Sequence, residues 1–180
     1  IDPVQEALVS SLSKSVMGDP QVDGVRMGSL VNAAQKMEVV SKVSELMTEA
    51  ECVYRDQETP KGSDIVEDAF LGPVLLRNDS PADSTKCHST EAFGPVATLM
   101  PYDGMEEAIS LANLGKGSLC CSLVSHNPAE AMRFVHGAAS MHGRILVLDR
   151  DCASESTGHG SPLPLLTHGG PGRAGGGEEM

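Results

Sequence analysis

Between residues 96 and 148 the chain alternates short apolar runs with amphipathic stretches of helical period, and this alternation limits the fold more than any other feature. Residues 96–100, 119–124 and 144–148 read as strands, whereas 105–114 and 128–138 carry the spacing of helices. Apolar strands separated by helices need crossover connections, and crossovers give a largely parallel sheet covered on its faces. The expected fold class is therefore α/β, with flanking helices.

The upstream pattern adds two helices and shorter strands. Asp2-Pro3 is a helix-start pair, a cap followed by the one residue whose missing N–H costs nothing in a first turn. Val4, Leu8, Leu12 and Val16 recur at helical spacing until Gly18-Asp19-Pro20 stops the run. A second helix is expected from near Asn32, with Val39, Val40, Val43, Leu46 and Met47 on one side, ending before Glu51. Cys52-Val53-Tyr54, Ala69-Phe70-Leu71 and Val74-Leu75-Leu76 read as short strands around a polar loop at 56–64, and 79–89 reads as loop. Beyond Asp149 the periodicity gives way to Gly, Pro, Ser and His. The expectation for 151–180 is thus an irregular tail of the same domain, whose body is 1–150, and a tail that needs another surface to lie on.

At 180 residues the chain is long enough for one domain with a sizeable core. Apolar residues at 40% and charged residues at 21% are those of a globular protein, and with aromatics at only 3% the core must be aliphatic. Asp plus Glu number 25 against 13 Lys plus Arg, a formal charge of -12 that repels phosphate backbones and argues against a nucleic-acid or membrane partner. No apolar stretch approaches the roughly 20 residues of a membrane span, and no signal-peptide pattern stands at the start, so a cytoplasmic location is expected. The cysteines, Cys52, Cys87, Cys120, Cys121 and Cys152, are odd in number and lack metal-like spacing, and read as reduced thiols. A start at Ile1 and an end in Gly-Gly-Gly-Glu-Glu-Met read as those of a fragment.

Several patterns invite chemistry and fail on context. Gly170-Pro171-Gly172-Arg173-Ala174-Gly175 fits G-x-G-x-x-G, but no strand leads into it and a proline sits inside it, so it reads as a turn-rich tail. His159 and His168, with Glu155 and Asp151, match no ligand spacing, and no metal is expected. Ser161 beside His159 lacks a nucleophile elbow. Asn78-Asp79-Ser80 is a glycosylation sequon in form only. Adjacent Cys120 and Cys121 sit in an apolar strand and read as small packing residues, without the electropositive niche of a reactive thiol.

Glu91-Ala92-Phe93-Gly94-Pro95 is different. Glu91 and Phe93 precede a strand and are spaced to face the same side, while Gly94 permits close backbone approach and Pro95 sets the exit direction. A carboxylate can grip both hydroxyls of a ribose, and an aromatic ring two residues on can support the flat face of a base. On pattern alone the same carboxylate also reads as a cap or a solvated charge, and both readings stand.

These residues resemble the signature of the aldehyde dehydrogenase superfamily, an acidic residue and one variable residue followed by Phe-Gly-Pro. The resemblance extends through Gly18-Asp19-Pro20, Met27-Gly28, Gln35, Glu106-Glu107-Ala108-Ile109 with Leu111-Ala112-Asn113, and Gly172-Arg173, and covers essentially the whole chain. Val25-Arg26-Met27-Gly28, residues 90–101 and residues 155–164 look most like one branch. That branch is the dehydrogenase domain of the bifunctional ring-cleaving enzymes of bacterial phenylacetate degradation and their benzoyl-CoA-pathway relatives.

The resemblance implies the C-terminal part of a catalytic domain that oxidises an aldehyde to an acid, with NADP or NAD as acceptor. In that branch the aldehyde is a semialdehyde carried on CoA, NADP is the expected cofactor, and a hydratase domain shares the polypeptide. Homo-oligomers are the rule. Carried over by position, Glu91 holds the nicotinamide ribose, Phe93 packs near the nicotinamide, and Gln35 reaches the same ribose. Glu38 stands where many members have lysine, and Leu166-Thr167-His168-Gly169-Gly170 replaces a common Pro-Phe-Gly-Gly. The family's nucleophilic cysteine and glutamate base fall upstream of Ile1, so no catalytic residue is assigned and the chain alone is expected not to turn over. A second expectation, from another class, is a non-catalytic oligomerisation module that keeps the dehydrogenase fold.

Overall fold

Asn32 starts the helix on which the first half of the chain is built. In the computed structural model, which describes residues 1–62, 67–156 and 169–175, its backbone is extended and its Oδ1 accepts the Gln35 N–H at 2.9 Å. The helix α2 (Ala33–Leu46) follows, after α1 (Asp2–Leu12) at the start of the chain. Val39, Val43 and Leu46 turn inward and pack with Leu71, Val74 and Leu76 into one core.

The described residues separate into two compact units, Ile1–Pro101 and Tyr102–Met180. In the first, β1 (Glu51–Arg55), β2 (Val74–Arg77) and β3 (Val96–Leu99) form a sheet in that order. β2 and β3 run parallel, with Val74 opposite Val96, whereas β1 lies antiparallel to β2 and is irregular between Cys52 and Tyr54. Val74, Leu75 and Leu76 are all buried, the mark of a strand covered on both faces.

α1 has no buried residue and is held by polar contacts. Arg77 donates from Nη1 to Asp2 Oδ1 at 2.6 Å and to Gln5 Oε1 at 3.1 Å, and from Nε to Asp79 Oδ1 at 2.7 Å. The Arg77 hydrogen bond holds the Asp2 carboxyl below its usual range.

Three expectations for this unit are corrected. Val16 lies beyond α1, where the chain turns so that Met17 bridges Met27 and Gly18 bridges Lys61. Ala69-Phe70-Leu71 is a buried irregular segment after a 3-10 turn (Glu67–Ala69) and not a strand, since the Ala69 carbonyl accepts a lone bond from Leu30 N–H. The loop at 79–89 holds a 3-10 turn (Pro81–Asp83) and a short helix, α3 (Lys86–Ser89). Its first N–H groups, those of Thr85, Lys86 and Cys87, all donate to Glu49 Oε2, at 3.1, 2.8 and 3.2 Å.

The second unit runs α4 (Gly104–Leu114), β4 (Ser118–Val124), α5 (Pro128–Ala138) and β5 (His142–Leu148). β4 and β5 are parallel, Ser118 opposite His142 and Val124 opposite Leu148, joined by the α5 crossover. Asn127 Oδ1 caps α5 by accepting from Ala129 and Glu130, and Pro128 occupies the first turn. Leu111, Phe134 and Ala138 are buried, and Gly137 lets Ile109 pack directly on the α5 backbone.

Strands and helices alternate over 96–148 as expected, but among the described residues they do not build one sheet. β3 pairs with β2, and β4 pairs with β5 in a separate sheet. In the smaller sheet Leu119 and Val124 are 51% and 78% exposed. No described helix is long and apolar enough to cross a membrane.

Of the tail, 169–175 lies on the starts of β4 and β5. Arg173 N–H donates to the Lys116 carbonyl at 3.0 Å, and side chains at Gly117 or Gly143 would overlap the Pro171 and Gly169 carbonyls.

Candidate functional site

The loop from Thr90 to Val96 is pinned to the first unit's core from three sides. Thr90 Oγ1 donates to Glu45 Oε1 at 3.0 Å, and this bond, with Lys42 nearby, pushes the Glu45 carboxyl below its ordinary range. Ala92 packs against the core cluster of α2 and β2. Gly94 sits so close to α2 that a Cβ there would lie 2.9 Å from both Val39 methyl carbons. Two tight turns follow each other, Gly94 N–H to the Ala92 carbonyl at 2.7 Å and Val96 N–H to the Gly94 carbonyl at 2.8 Å. The Pro95 carbonyl then accepts from Val74 N–H at 2.9 Å and opens the β2–β3 ladder.

With Ala92 inward and Gly94 against the helix, Glu91 and Phe93 both point to the open side. They line one cleft of about 470 Å³ whose other wall is Ser29, Leu30 and Val31, with Gln35 between. Phe93 is 73% exposed. Among the described residues Glu91 caps no helix and makes no hydrogen bond or ion pair. The cap reading of this carboxylate is therefore not met, and it remains an unpaired anion beside an exposed ring.

Gln35 stands in the cleft, but its amide is already engaged at both ends. Oε1 accepts the Val31 N–H at 2.9 Å and Nε2 donates to the Phe93 carbonyl at 2.9 Å. The first contact had a signal in the sequence: Gln35 is the third helical residue after the Asn32 cap, the position whose side chain reaches back over the helix start. The second joins residues far apart in sequence, and had none.

Other sequence patterns fall where they carry no chemistry. Gly170 to Gly175 forms a bend and one 3-10 turn (Gly172–Ala174), and the residues leading into it, 157–168, lie outside the described ones. Asn78 is 2% exposed, its amide donating to Ser84 Oγ and Cys87 Sγ, so the sequon is closed to modification. The five cysteines are free thiols, and burial pushes the Cys121 thiol up, away from the reactive thiolate. His159, Ser161 and His168, with most of the 155–164 match, lie outside the described residues. His126, Asp149 and Asp151 bring ligand atoms within 4.8 Å of one another on an open surface, where Asp149 Oδ1 already accepts from Asp151 and Cys152 N–H.

Residues 1–150 match the aldehyde dehydrogenase family, and the chain belongs to that family. It is 47% identical to Protein MaoC of Klebsiella aerogenes, over 86% of this chain and 45% of that protein. It is 36% identical to 3,4-dehydroadipyl-CoA semialdehyde dehydrogenase of Aromatoleum evansii, over 92% of this chain and 33% of that enzyme. The chain thus spans less than half the length of these relatives. Among solved structures, succinic semialdehyde dehydrogenase from Streptococcus pyogenes, in complex with NADP+, has the same fold with a TM-score of 0.77. The identity is 24%, over 98% of this chain and 35% of that one. Betaine aldehyde dehydrogenase from Staphylococcus aureus, in complex with NAD+, gives a TM-score of 0.77 at 19% identity, over 96% of this chain and 32% of that one.

Proposed function

We propose that residues 1–150, with 151–180 as their tail, are the C-terminal part of the catalytic domain of an NAD(P)-dependent aldehyde dehydrogenase. Its substrate is a CoA-linked semialdehyde of aromatic-acid catabolism, its preferred cofactor is NADP, and it works in the cytoplasm as a homo-oligomer. A hydratase domain shares the complete polypeptide, as in the ring-cleaving branch. The semialdehyde assignment draws on the name of the Aromatoleum evansii relative. The nucleophile and the base stand elsewhere in the complete polypeptide, and this chain contributes the nicotinamide end of the cofactor cleft.

The observation that carries this reading is the Glu91 carboxylate, unpaired among the described residues, beside the exposed Phe93 ring in an open cleft. The pair fits a nicotinamide riboside: Glu91 accepts from the two ribose hydroxyls, and Phe93 lies against the ring and keeps water from that face. The cofactor, when bound, supplies the hydride acceptor.

Glu91→Gln in the complete polypeptide is expected to raise KM for NADP by about tenfold or more, the loss of a charge-assisted bond, without a change in melting temperature. An unchanged KM would remove Glu91 from the cofactor site.

A further inference from the structure

The geometry points to Gln35 as a positioning residue: it ties the two walls of the cleft together, sets the Glu91 and Phe93 side chains over the start of α2, and acts on the cofactor through them. This rests on the reading of the cleft as the nicotinamide end of a cofactor site.

Residues 29–31 form one wall of the cleft and residues 91–94 the other. No backbone hydrogen bond joins the two walls among the described residues. The Gln35 amide spans them, Oε1 on the Val31 N–H and Nε2 on the Phe93 carbonyl, each at 2.9 Å. Its own backbone is fixed by the Asn32 cap, also at 2.9 Å.

One planar group therefore ties the helix start, the Val31 wall and the Phe93 peptide into a single geometry. The Phe93 carbonyl it holds belongs to the peptide between Phe93 and Gly94, and Gly94 is stopped by Val39 on the far side. Between a strut and a stop, the loop has one height over α2.

The side chain must accept at one end and donate at the other, which glutamine does. Glutamate only accepts, and asparagine is one methylene short. Each end of the amide makes one bond to the protein and keeps one N–H or one lone pair, and the Glu91 carboxylate and the Phe93 ring line the cleft beside it.

The test uses Gln35→Met, Gln35→Glu, Glu91→Gln and the Gln35→Met/Glu91→Gln double variant of the complete polypeptide. The readouts are KM for NADP, kcat, and amide hydrogen exchange at Val31. Gln35→Met is expected to release Val31 to exchange and to raise KM about threefold to tenfold, the range of one lost hydrogen bond, with kcat little changed. Gln35→Glu is expected to keep Val31 protected and still raise KM, because the Phe93 end is lost. In the Glu91→Gln background Gln35→Met is expected to add less than about twofold, as coupled residues do.

Fully additive effects on KM would mark an independent contact between Gln35 and the cofactor and overturn the positioning role. So would an unchanged KM in Gln35→Met, or a loss of kcat and melting temperature alone. If Glu91→Gln leaves KM unchanged while Gln35→Met raises it, the ribose role of Glu91 fails and Gln35 is not acting through it.

Discussion

At the scale of single residues, Gly94 carries the tightest steric demand at the site. A Cβ 2.9 Å from both Val39 methyls must displace the loop or the helix. Gly94→Ala is expected to cost about 1–3 kcal/mol by overpacking, read as a lower urea midpoint. Val39→Ala in the same chain is expected to recover part of that loss despite the cavity it opens. If Gly94→Ala melts like the parent chain, the close approach is not a constraint.

That Glu91 and Phe93 face the same side was legible from their spacing, because a short local motif decides which way each side chain turns. The partner of Gln35 was not. A glutamine on the first turn of a helix has many acceptors within reach, and only the packed loop selects the Phe93 carbonyl, 58 residues away.

Among the elements, α3 shows where local reading fails. Four residues have little intrinsic helicity, and this helix exists because Glu49 accepts three of its leading N–H groups. Glu49→Ala is expected to destabilise the first unit by about 1–3 kcal/mol, the cost of leaving such groups unpaired. Fast exchange at Lys86 and Cys87 would accompany the loss. Unaltered exchange there would show that the carboxylate is dispensable.

By contrast the bounds of α5 were legible, since the helical pattern read over 128–138 is the helix Pro128–Ala138. The run Ala69-Phe70-Leu71 misled for a plain reason. Apolar residues mark burial, and burial of three residues is compatible with a strand or with an irregular segment.

At the scale of the whole molecule, strand identity was legible but strand partnership was not. The pattern over 96–148 marks β3, β4 and β5 equally, yet β3 joins the sheet of β1 and β2. Pairing depends on edges far apart in the chain, and hydrophobic period says nothing of them.

Acid stability is also a property of the whole chain. Burial lowers the His142 pKa, its Nδ1 lies 2.6 Å from Ser118 Oγ, and its Nε2 is enclosed without a partner among the described residues. The fold therefore favours the neutral ring. Its contribution is complete above the ordinary histidine value and is lost as pH falls toward the lower folded value.

Hydrogen bonds depress the carboxyls of Asp2, Glu45 and Asp149, from Arg77, Thr90 and Cys152 respectively. Their contribution is present above the ordinary carboxylate range and lost as pH falls through the folded values below it. The urea midpoint is expected to be level above neutrality, to decline first from about pH 6.5, and to decline again below about pH 4.5. His142→Gln should abolish the first decline and keep the second. A single decline confined to the carboxylate range in the parent chain would contradict the burial of His142.

The contact between Gly94 and Val39 also bears on how a ligand gains entry. Pro95 has a fixed φ, and the two consecutive tight turns leave the segment without a swivel of its own. The backbone beneath Glu91 and Phe93 is then carried by α2 like a mount on a rail, and its excursions are those of the helix. Motion at the cleft that does not involve the helix is left to side chains, and the exposed Phe93 ring turns about its own bonds within picoseconds to nanoseconds.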